Sequence, residues 1–165
     1  MSPLGGTGWS AKTIANYFLE LAARDHVFLD PLKLQKLVYL AHGWSLLFLH
    51  RPLIRDRIEA WRYGPVVPDL YDEFKKFGGS AITEPATPAK GESGESIDAR
   101  TKSLLDSVWQ RYRNLSPIQL SMLTHEPGMA WDLVQREGEI SPWGGPRIPN
   151  ELIVDEFMRR QQELP

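Results

Sequence analysis

Apolar residues recur at helical spacing through most of the chain. After Ser10, whose hydroxyl can accept from the free N–H groups of a first helical turn, Ala11, Ile14, Ala15, Phe18, Leu21 and Ala22 fall on one face. The segment "DPLKLQKLVYLAHGWSLLFLH" follows, with Asp30 as a natural N-cap. Pro31 stands at the first helical position, where its missing N–H has no partner to lose. Leu34, Leu37, Val38, Ala41, Trp44 and Phe48 keep helical spacing, and Leu32, Tyr39, Leu40, Leu46 and Leu47 carry apolar surface round the other sides. A helix apolar nearly all round belongs in the middle of a bundle.

The pattern then changes. "PLIRDRIEAWRY" alternates, with Ile58, Ala60 and Arg62 on one side and Glu59, Trp61 and Tyr63 on the other, which predicts a short strand or extended segment. Gly64-Pro65 breaks it, and Pro68 opens a helix "PDLYDEFKKF" whose Leu70, Tyr71, Phe74 and Phe77 face inward until Gly78-Gly79 ends it. Residues 80–96 hold one large apolar side chain, Ile82, too little burial to offset the entropy of ordering, so a mobile loop is expected. Asp98 caps a helix containing Leu104, Leu105, Val108 and Tyr112. "SPIQL" sets Ser116, Pro117 and Gln119 in a capping-box arrangement, and "GMAWDLVQRE" adds a further turn or two. "SPWGGPRIP" reads as a connector, after which Asn150 can cap a last helix carrying Ile153, Phe157 and Met158. The expected fold is mainly α: a single-domain helical bundle around a central apolar helix, with one short extended or β segment. Residues 1–9 are expected as a flexible N-terminus and residues 10–160 as the domain, with the 80–96 loop inside it.

Composition narrows the function classes. The 165 residues are 42% hydrophobic and 24% charged, with a net charge of −2, the proportions of a soluble globular chain and not of a general polyanion binder. No cysteine is present, which removes disulfides, thiol nucleophiles and cysteine-based zinc sites. The Leu32–Leu49 stretch is interrupted by Lys33, Gln35, Lys36, His42 and Ser45 and is too polar to span a membrane; no secretory signal is visible at the N-terminus, so a cytoplasmic protein is expected.

Catalytic signals are weak. "HEPGM" at 125–129 begins like a zinc-protease helix but lacks the second histidine, and Pro127 would break the helix. His26, His42 and His50 form no close pair, there is no Gly-x-Ser-x-Gly elbow, and the early "GGTG" has no P-loop lysine. Neither an enzyme nor a cofactor or metal site is expected. "WRY" at 61–63 and "WQRYR" at 109–113 interleave arginine with aromatics, as base-stacking surfaces do; this keeps a nucleic-acid-binding prophage regulator as the alternative function.

The densest cluster is "AWRYGPVVPDLY", residues 60–71. Gly64, Pro65 and Pro68 fix a turn, and Trp61, Tyr63 and Tyr71 are residue types favoured in protein interfaces. Trp61, Tyr63, Gly64, Pro65, Val66 and Tyr71 are therefore candidate partner-binding residues, with Trp61 and Tyr71 equally placed to be core. Lys36, a charge within the most apolar helix, needs a partner, and an ion pair with Glu59 is expected, the alternative being that Lys36 reaches solvent with only its stem buried.

Taken in order, "IANYFLELA", "PLKLQKLVYLAHGW", "RPLIRDRIEAWRYGPVVPDLYDEFK", "LSMLTHEPGMAW" and "IPNELIVDEF" resemble the Panacea-domain antitoxin family, the SocA-like and phage-associated GepA-like proteins. The resemblance spans roughly residues 10–158, with one departure: Ala130 stands before Trp131 where the family more usually has proline. It implies an antitoxin of a toxin–antitoxin system that neutralises a cognate toxin by direct protein–protein contact. For some members it also implies delivery of that toxin to a protease or its unfoldase.

Overall fold

A computed structural model describes residues 8–164. Among them seven α-helices run in order: α1 Ala11–Asp25, α2 Pro31–Phe48, α3 Pro68–Phe74, α4 Ala99–Tyr112, α5 Pro117–Thr124, α6 Ala130–Gln135 and α7 Asn150–Gln162. Between α2 and α3 lies one antiparallel hairpin, β1 Glu59–Trp61 and β2 Gly64–Val66. The fold is mainly α, as the hydrophobic pattern predicts.

Local chemistry starts the helices where the sequence places their caps. Ser10, Asp30, Asp98 and Ser116 each accept a hydrogen bond from a first-turn N–H, and Gln119 completes the capping box of α5. The exception is α7, where Pro149 takes the cap position and the Asn150 side chain instead meets His42 Nε2 at 2.9 Å.

Helix α2 is the hub, packed by α1, α3, α4, α5, α7 and β2. Thirteen of its residues from Leu34 to Leu46, polar ones included, are buried. At its crossing with α7, a Cβ on Gly43 would overlap the Phe157 ring, so only glycine admits that ring. Phe157 then packs edge-on against Trp44, with ring centroids 4.9 Å apart, and against Tyr39 at 6.0 Å.

Two segments make more long-range hydrogen bonds than their composition suggests. Residues 80–96 lack apolar anchors but not polar ones. Asn16 on α1 grips the Ala86 backbone in both directions, Nδ2 to O at 2.9 Å and N to Oδ1 at 2.7 Å. Glu92 accepts from Ser10 N at 2.9 Å and Thr13 Oγ1 at 3.1 Å, and Ile82 N donates to Leu29 O. Ala86 is fully packed as a result. The loop is thus fastened by long-range hydrogen bonds, which periodicity does not reveal. Asn16→Ala is expected to cost about 1–3 kcal/mol, since it orphans both Ala86 groups, and to accelerate limited trypsin cleavage at Lys90. Unchanged stability and unchanged cleavage would mean that the clamp holds nothing. At the N-terminus, residues 1–7 of the expected flexible tail lie outside the described residues, while Trp9 exchanges backbone hydrogen bonds with Leu53 and Arg55.

Candidate functional site

The hairpin 59–66 is where the residues singled out in the sequence converge. Its register sets Glu59 opposite Val66, Ala60 opposite Pro65 and Trp61 opposite Gly64. Gly64 has φ +114°, and a Cβ there would stand 3.0 Å from Lys36 Nζ and 3.1 Å from His125 Cε1. Backbone conformation favours glycine at this point, and the space beside it is tight.

Four elements hold the hairpin. From α2, Gln35 pairs with the Val67 backbone in both directions, at 2.9 and 3.0 Å, and Lys36 Nζ donates to Pro65 O at 2.8 Å. From α5, Ser121 Oγ donates to Tyr63 O at 3.1 Å, and the His125 ring lies between Ser121 O and Arg62 O. His125 also packs on Trp131, centroids 4.1 Å apart, and Trp131 Nε1 in α6 donates to Trp61 O at 2.7 Å. Finally, the "SPWGGPRIP" segment is no mere connector. It runs alongside β1, with Ala60 N donating to Pro146 O at 2.8 Å, Ile148 N to Ile58 O at 2.8 Å and Arg62 N to Ser141 O at 3.0 Å. Gly145 lets it approach so closely, since a Cβ there would overlap Ala60 O.

The expected Lys36–Glu59 ion pair is not formed. Lys36 is fully buried, and a backbone carbonyl, Pro65 O, is its partner. Glu59 projects to the other side of the strand, where Arg57 and Trp61 Nε1 bind its carboxylate. Strand alternation explains this: Glu59 and Trp61 share one face, and Ala60, between them, faces the core. Burial alone pushes the Lys36 ammonium down to about 7.

The aromatic residues divide. Trp61 is only 5% exposed and meets Tyr71 edge-on at 5.0 Å, so its ring belongs to the packed base. Gly64, Pro65 and Val66 are buried and Tyr71 is half-buried. Tyr63, at the hairpin tip, is 58% exposed. Beside it a groove of about 260 Å³ opens between α2, the hairpin and the end of α3, walled by Leu32, Trp61, Tyr63, Val66 and Tyr71, with Lys36 sealed beneath. Nearby α5 presents Ile118 and Met122, 69% and 68% exposed, on the face whose Ser121 holds Tyr63. Neither was a sequence candidate, because their spacing reads as ordinary core. A larger cleft, about 690 Å³, separates α1 from residues 81–94 and is lined by none of the candidate partner-binding residues.

Other sequence candidates resolve as structure. Trp109 is buried and donates to Asp25, which Arg113 also binds, so that part of "WQRYR" is a brace between α1 and α4. Burial pushes the His42 imidazole down to about 4; its Nδ1 accepts from Ile54 N and its Nε2 faces the Asn150 carboxamide. Among the described residues no three metal-capable side chains cluster, and no helix is long and apolar enough to cross a membrane.

These convergent residues coincide with a known sequence pattern. The profile of the family described as "Antitoxin SocA-like, Panacea domain" matches residues 34–132, from the start of α2 through Trp131. The chain is also 32% identical over 153 residues to Antitoxin SocA of Caulobacter vibrioides (strain NA1000 / CB15N), covering 89% of this chain and 81% of that protein. No solved structure gives a significant match. With Lys36, the Gly64-Pro65 turn, His125 and Trp131 drawn round one hairpin inside the matched span, the chain belongs to the SocA-like Panacea-domain antitoxin family, which supports an antitoxin role.

Proposed function

We propose that the chain neutralises a protein toxin by direct binding, through the face formed by the hairpin tip, the adjoining groove and the outer side of α5. The observation that carries this is the contrast at the hairpin. Its backbone and base are fixed from four directions, yet its tip presents Tyr63 to solvent. A rigid loop offering a large aromatic binds without a large ordering cost, and an exposed tyrosine beside Ile118 and Met122 has no folding role that explains it. Trp61 and Tyr71 then serve as the wall of the site, and Gly64, Pro65 and Val66 as its fixed frame. Delivery of the bound toxin to a protease or unfoldase is the fuller form of this reading. The nucleic-acid alternative loses support from Trp109 and Arg113, which are engaged inside the fold.

The test is co-expression with the product of the reading frame adjacent to the gene, scoring growth rescue, co-purification and half-life of that product. Tyr63→Ala is expected to leave the melting temperature within a degree or two and to weaken toxin binding about thirtyfold, the equivalent of ~2 kcal/mol. Trp61→Ala, by contrast, is expected to lose about 3–5 kcal/mol of folding stability because its ring is buried. Wild-type affinity in a folded Tyr63→Ala protein would move the interface elsewhere. A shortened toxin half-life on co-expression would support protease delivery.

A further inference from the structure

The groove beside Tyr63 also carries information about what enters it. Its walls are apolar and aromatic, and among the described residues the charged side chains that line it are two lysines, the sealed Lys36 and Lys75. Among those residues no carboxylate lines it; Glu59 and Asp72 lie in the adjoining hollow, beyond Trp61 and Tyr71. Lys75 extends over the Tyr71 ring, its ammonium 5.9 Å from the ring centre, with 57% of the side chain exposed. Its one carboxylate contact, Asp72 at 3.4 Å, is itself 70% exposed and therefore weak. Arg62, the chain neighbour of Tyr63 at the hairpin tip, is exposed and, among the described residues, forms no salt bridge. The volume, about 260 Å³, accommodates one large side chain and not a helix.

Resting on the binding face proposed above, we propose that the groove receives a single large apolar side chain from an acidic segment of the toxin, with carboxylates beside that side chain meeting Lys75 and Arg62. The apolar side chain gains its affinity from burial between Trp61, Tyr63 and Tyr71. The flanking charges steer the encounter and reject basic segments, because rim charges act mainly on association rate and specificity. A partly desolvated ammonium above a tyrosine ring is also held in place before the partner arrives, which lowers the ordering cost.

The experiment replaces Tyr63 with the photo-crosslinking residue p-benzoylphenylalanine in the full chain, co-expressed with the toxin from the adjacent reading frame. The crosslinked toxin peptide is then identified by mass spectrometry. The expected peptide contains a large apolar residue with Asp or Glu within a few positions. In parallel, Lys75→Glu and Arg62→Glu are each expected to slow toxin association about tenfold and to flatten its salt dependence, while Lys75→Arg stays near wild type. A crosslink to a basic or uncharged toxin segment, or charge reversals without effect on association, would overturn the acidic assignment and leave the binding face standing. No crosslink from a protein that still neutralises the toxin would overturn the binding face itself.

Discussion

Glu156→Ala is expected to destabilise the fold by about 3–5 kcal/mol, a large part of the ~5–15 kcal/mol that holds a domain of this size together. Glu156 is 2% exposed in the interior face of α7 and serves three donors at once. The Tyr39 hydroxyl of α2 donates at 2.7 Å, Ala130 N at the start of α6 at 3.1 Å, and Arg160 Nε at 2.8 Å. Arg160, also buried, spends another N–H on Leu123 O at the end of α5. Removing the carboxylate strands a buried guanidinium, a phenol and an amide simultaneously, and burial together with the neighbouring carboxylate already pushes the Tyr39 hydroxyl well up. Glu156→Gln keeps the shape and two of the acceptor contacts and should lose markedly less. Urea unfolding of the two single variants at pH 7 measures both. A loss below 1 kcal/mol for the alanine variant would show that water or a rotated Arg160 replaces the carboxylate.

Lys36→Met is expected to raise stability at pH 6 by about 1–3 kcal/mol, with the gain shrinking towards pH 10. Burial depresses the folded amine to about 7, from an ordinary value near 10.5. Between these values the unfolded chain binds the proton more readily, so wild-type stability rises with pH across that window. Below about 7 both states are protonated, and the full cost of a buried charge is present. Above about 10.5 both are neutral, and the cost is gone. Methionine fills nearly the same space without the charge, but leaves Pro65 O without its donor, which offsets about 1–3 kcal/mol of the gain. Thermal unfolding from pH 6 to pH 10 decides the matter. A Lys36→Met variant less stable than wild type at pH 6, or a wild type flat across the window, would mean that Lys36 stays charged on an unseen partner.

The central helix, the caps at Ser10, Asp30, Asp98 and Ser116, and the short extended element were legible because each depends on neighbours within four positions. What stayed hidden depends on distant ones. Asn16 and Ala86 are 70 positions apart, Tyr39 and Glu156 are 117 apart, and no local pattern marks such pairs. The Gly-Pro-rich 141–149 segment read as a connector because its strand-like pairing uses backbone alone, with proline and glycine supplying a carbonyl and clearance. At the site, the aromatic cluster was visible but its orientation was not: one residue separates Trp61 from Tyr63, and the turn sends the first inward and the second out. The Lys36–Glu59 expectation failed for the same reason, since a buried cation can be met by a carbonyl as well as by a carboxylate.

The seating of Phe157 against Gly43 has a consequence for the order in which the protein is made. A ribosome delivers α2 long before it delivers α7, and at ~5–20 residues per second the interval is roughly 5–20 s. Throughout that time the most apolar helix of the nascent chain has one side uncovered and the Tyr39 hydroxyl lacks its acceptor. Exposed apolar surface of that kind is what chaperones and proteases engage. A chain cut short before Phe157 is therefore expected to be degraded faster than the full chain, which a pulse-chase of the two would show.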